Sequence, residues 1–63
     1  MHPNQKRARE LLAALQKLYD ESGPPAFLMQ LALTDLRHLA DLHGLHFGVI
    51  DRNAHNYYLL ERK

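Results

Sequence analysis

The 63-residue chain contains no cysteine, so no disulfide can staple the fold. It must hold together by apolar burial alone or with help from a partner. A domain of this length buries only about 60% of the surface its extended chain exposes, which leaves it marginal as an isolated unit. Residues 1–63 are long enough for one domain and too short for two. No stretch approaches the roughly 18 apolar residues needed to span a bilayer. The basic N-terminus is not followed by an apolar signal core, because Gln16, Lys17, Asp20 and Glu21 interrupt it. A cytosolic home is expected from the lack of cysteine, and nothing in the sequence argues against a nuclear one.

Apolar periodicity divides the chain. Ala8, Leu11, Leu12, Leu15, Leu18 and Tyr19 recur at spacings of three and four, which predicts a helix from about Asn4 to Ser22. Residues 1–5 read as a frayed lead-in, with Asn4 as a cap. Gly23 fits the stop, and Pro24 and Pro25 prevent continuation. The run Ala26–Leu33 is open between strand and short helix and leans to strand, with Phe27, Met29, Leu31 and Leu33 on one face. Thr34 then reads as a cap for a helix of about nine residues, with Asp35 in its first turn and Gly44 at its end. Leu45–Ile50 alternates like a half-buried strand, Asp51–Asn56 reads as a turn, and Tyr57–Glu61 as a second strand. The expected fold class is α+β, two helices packed on a small two- or three-stranded antiparallel sheet. Its expected core is Leu11, Leu15, Leu18, Leu36, Leu39, Phe47, Val49 and either Tyr58 or Leu60.

Enzymatic chemistry finds no support in the residues. Asp51 and His55 stand four apart and Asp41 lies near His38, but neither pair is set in a cleft-forming context. Ser22, Thr34 and the tyrosines lie in no nucleophile elbow. Gly23, Gly44 and Gly48 are scattered and form no phosphate loop. Five histidines invite a metal reading, yet only His43 and His46 stand at a tolerable spacing and no cysteine joins them. Neither a cofactor nor a metal site is expected, and the chain is read as a non-enzyme.

Charge is nearly balanced at +1 overall but unevenly placed: residues 1–19 carry a net +3, residues 20–51 a net −4 and residues 52–63 a net +2. Bulk attraction to nucleic acid is therefore weak. A local surface is the better candidate, formed by Arg37 on a helix and by Arg52 and His55 at the expected hairpin tip. Tyr57 adds a ring on which an unpaired base can stack, and Lys6, Arg7 and Arg9 add long-range attraction. The other candidate partner is a protein. An edge segment Phe27–Leu33 would offer main-chain groups and an adhesive apolar face, and could equally join two copies as a homodimer.

Two resemblances bear on the choice. Leu39-Ala40, Gly44-Leu45 and a hairpin over Phe47–Leu60 resemble the arginine–histidine motif domain, a small single-stranded nucleic-acid-binding fold with an Arg-x-x-x-His signature. Leu33 stands at that family's Arg position and Arg37 at its His position, so the signature pair itself is absent. The resemblance implies single-stranded nucleic-acid binding by a helix side chain and a hairpin. Leu39-Ala40 followed by Gly44-Leu45 also resembles the first helix and turn of helix-turn-helix proteins. That likeness implies a second helix through Phe47–Asn53 reading DNA with Arg52, Asn53 and His55, and a wing over Tyr57–Arg62. The secondary structure of residues 46–54 separates the two.

Overall fold

Three helices account for most of the described residues: α1 (Pro3–Tyr19), α2 (Pro25–Leu42) and α3 (Phe47–Glu61). The structure, a computed structural model, describes residues 3–62. No strand occurs among the described residues, so the expected α+β class is corrected to all-α. Pro3 and Asn4 lie inside α1 rather than in a lead-in, and Asn4 does not cap it. Met1 and His2, from the same expected lead-in, lie outside the described residues.

Two left-handed residues stop two of the helices. α1 ends at Tyr19, four residues before Gly23, and Asp20 after it adopts φ +50°. The Glu21 amide donates to the Gln16 carbonyl at 3.1 Å and the Asp20 amide to Lys17 at 3.4 Å, the paired bonds of a Schellman cap. The same pair closes α2, with Leu45 donating to Ala40 at 2.8 Å and Gly44 to Asp41 at 3.2 Å. Gly44 is the left-handed residue there, at φ +66°.

Pro24 and Pro25 do more than end the first helix. Pro24 is the N-cap of α2 and Pro25 its first residue, where the missing amide costs nothing and the fixed φ suits a helix. The run expected to be a strand therefore belongs to α2. Ala, Leu, Met and Gln are good helix formers, and no β-branched residue occurs between Ala26 and Leu33. Thr34 sits in mid-helix instead of capping one, and its hydroxyl donates to the Gln30 carbonyl at 2.9 Å.

The expected hairpin is α3. Phe47, Ile50, Ala54 and Tyr57 recur at helical spacing, and the polar run Asp51–Asn56 supplies exposed turns of the helix rather than a loop. Six alternating residues at 45–50 were too few to distinguish the two periods. The strand hairpin implied by the arginine–histidine resemblance is thus replaced by helix across residues 47–54, and no strand wing forms at Tyr57–Arg62.

The helices make a flattened body, with extents of 36 × 33 × 16 Å. α2 packs on both α1 and α3. Among the described hydrophobic residues only Leu28 and Ala40 are buried. The expected core is corrected accordingly: Leu15 and Phe47 are half-buried, while Leu11, Leu18, Leu36, Leu39, Val49, Tyr58 and Leu60 are exposed. Apolar side chains on all three helices are left open to solvent.

A Cβ at Gly44 would meet nothing within 4 Å, so substitution there tests backbone strain alone. Gly44→Ala should lower the unfolding free energy by about 1–2 kcal/mol, the cost of a left-handed non-glycine residue. Asp20→Gly should raise it. Denaturant titration of the three proteins checks both signs.

Candidate functional site: an apolar groove between α1 and α2

An apolar groove lies between the first two helices. It encloses about 460 Å³ and is lined by Leu11, Leu15 and Leu18 of α1 and by Met29, Ala32, Leu33, Leu36 and Leu39 of α2. On α2, Met29, Leu33 and Leu36 stand at i, i+4 and i+7, so helix geometry aligns them on one side. Tyr19 and Asp35 are the polar members of the lining. The phenol hydroxyl of Tyr19 donates to Oδ2 of Asp35 at 2.6 Å and ties the end of α1 to the middle of α2.

The apolar surface continues beyond the groove. Among the described residues fifteen large hydrophobic side chains are at least 40% exposed, including Leu42 and Leu45 around the second turn and Val49, Ile50, Leu59 and Leu60 on α3. Single exposed leucines are ordinary, but an apolar surface spread over every helix is a mark of an interaction site.

The residues expected to contact nucleic acid do not form one cluster. Arg37 places its guanidinium 4.4 Å from the centroid of the Phe47 ring, bracing α2 against the start of α3. Arg52, His55 and Tyr57 are all exposed on α3, with no hairpin tip to gather them. At about 100° per residue, Arg52 and His55 share a side while Tyr57 points well away from both. Lys6 pairs with Glu10 at 3.7 Å. Arg7 pairs with Glu61, whose main-chain carbonyl also accepts from the Asn4 amide at 2.7 Å. Arg9 is exposed on α1 and also has an interaction partner. The Arg7 and Asn4 contacts join the start of α1 to the end of α3 beside a more polar cleft of about 640 Å³. Exposed pairs of this kind contribute little, about 0–1 kcal/mol each.

No group of three or more His, Asp or Glu side chains among the described residues is placed to hold a metal ion. No helix among them is long and apolar enough to cross a membrane. No family model, no curated protein and no solved structure matches this chain.

Sequence reasoning found Met29 and Leu33 as part of an adhesive face but placed them on a strand with Phe27 and Leu31. The i, i+4, i+7 spacing that runs from Met29 through Leu33 to Leu36 was the missed signal, because Thr34 was read as a boundary.

The Tyr19–Asp35 contact is open to titration. The hydrogen bond to Asp35 raises the Tyr19 phenol above the ordinary value of 10.0, with desolvation and the Asp35 charge acting in the same direction. A raised folded-state value favours the neutral phenol. This contribution to stability is therefore complete below the unfolded pKa and is lost as pH rises through the folded one. Ultraviolet titration should show one of the three tyrosines ionising later than the others, and Asp35→Asn should bring it back toward them.

Proposed function

We propose that this chain is a protein-association module whose α1/α2 groove receives an apolar surface of another polypeptide. The observation that carries this reading is the ratio of exposed to buried apolar side chains. Among the described residues Leu28 and Ala40 make the only buried hydrophobic core, whereas fifteen large apolar side chains remain open to solvent. Burying one such side chain contributes about 1.5–3 kcal/mol, so covering several of them supplies stabilisation the isolated chain lacks. The groove lining offers few polar groups with which to orient a small polar substrate. Balanced charge argues in the same direction, because it gives no strong pull toward phosphate.

Duplex DNA is a second reading, favoured by one observation. α2 and α3 are joined by four residues, His43–His46, turning on Gly44, as in helix-turn-helix units. Arg52, Asn53 and His55 would then be the reading side chains of α3. The charge of α3 weakens this reading, since Asp51 and Glu61 outnumber Arg52.

Site-directed photo-cross-linking in the cells that make the protein tests both readings. A cross-linking residue replacing Leu36 should give discrete protein adducts, and one replacing His38, on the opposite side of α2, should not. Absence of protein adducts from position 36 contradicts the association reading. Nucleic-acid adducts from a cross-linker replacing Arg52 would favour the second.

A further inference from the structure

We infer that the polypeptide covering the groove is a second copy of this chain, so that two flattened subunits pack face to face as a homodimer. This rests on the association reading and commits it to one partner.

The first argument is area. A compact chain of 7.3 kDa exposes about 4,200 Å² by the scaling of folded monomers. This chain exposes 5551 Å², an excess of about 1,400 Å² on that scale. Two copies burying their excess against each other would bury about 2,800 Å² in total, within the roughly 2,000–5,000 Å² range of obligate homodimers. The surface missing from a monomer's interior is thus the amount an obligate dimer hides.

Shape gives the same answer independently. The radius of gyration is 13.1 Å, against about 11 Å for a compact domain of this length. The excess reflects lateral spread, because the molecule is 36 × 33 Å across and 16 Å thick. A second copy laid on the broad face would cover the apolar side chains that one chain leaves open.

Charge selects a copy over a strongly charged partner. α1 carries Lys6, Arg7, Arg9 and Lys17 against Glu10, whereas residues 20–51 carry five acidic residues and one Arg. A two-fold arrangement that sets α1 of one copy against the acidic stretch of the other makes the same favourable contact twice. The net charge of +1 leaves little repulsion between copies.

Sedimentation of the purified chain across the micromolar range, with isotope-filtered NMR on a mixture of labelled and unlabelled chains, tests this. The expected mass is twice that of one chain, with intermolecular contacts from the Leu33 and Leu36 methyl groups. Leu36→Lys should weaken the dimer about thirtyfold or more, as for an interface hot spot, while His38→Lys leaves it unchanged. Should Leu36→Lys fail to fold, the NMR contacts of the parent still decide. A monomer at every concentration overturns the inference, as does a dimer without groove contacts or an open-ended polymer. A monomeric chain that still gives protein adducts from position 36 in cells would overturn the second copy alone and leave the association reading standing.

Discussion

A flattened chain of this length cannot bury all of its own apolar faces, and the rest of this structure depends on that constraint. Every helix carries exposed apolar side chains, although α2 packs on both α1 and α3. Among the described hydrophobic residues, Leu28 and Ala40 alone are enclosed. The longer side chains of Leu36, Leu39 and Val49 reach past the edges of contact and end in solvent. With so little core, hydrogen bonds such as Tyr19–Asp35 and the Arg7–Glu61 pair hold the helices in register but cannot replace apolar burial.

The helices themselves are not strong enough to stand without packing. Neither α2 nor α3 has a side-chain cap, and neither places an acidic residue in its first turn or a basic one in its last. α3 is 15 residues long and buries none of them fully, close to the length at which isolated helices are marginal in water. Its order therefore needs contacts beyond its own sequence. The Phe47 ring under the Arg37 guanidinium and the Schellman closure at Gly44 fix where α3 starts, and the contacts of Glu61 fix where it ends. The span between is held by little else, so this helix gains most from a covering layer. Association, stability and the flat shape are thus one physical problem with one solution.

Much of this was legible in the sequence, and what was not has specific causes. The α1 stripe from Ala8 to Tyr19 is long enough to identify its period, and Pro24-Pro25 marks a boundary without ambiguity. Gly44 as a helix stop was equally readable, since it alone among nearby residues adopts a left-handed backbone at no cost. The end of α1 was not, because Asp20 takes that conformation three residues before Gly23. The larger error was reading apolar residues as evidence of intramolecular burial. Alternation over Leu45–Ile50 suggested a strand with one face on a core, whereas the structure exposes Val49 and Ile50 on a helix. A sequence pattern records which residues avoid water, not whether the same chain covers them. The candidate site was half visible for the same reason: Phe27–Leu33 stood out as adhesive, but its true neighbours Leu15, Leu18 and Leu36 became apparent only once α1 and α2 were placed together.

The central claim is that the open apolar surface is covered from outside the chain. Residue-resolved amide hydrogen exchange at high dilution measures it most directly, because protection there reports the stability of each helix without a covering partner. The account predicts that α3 amides at high dilution show protection factors below about ten, equivalent to less than about 1.4 kcal/mol, and gain protection as concentration rises. Strong protection throughout α3 in a dilute monomer, unchanged with concentration, would contradict it.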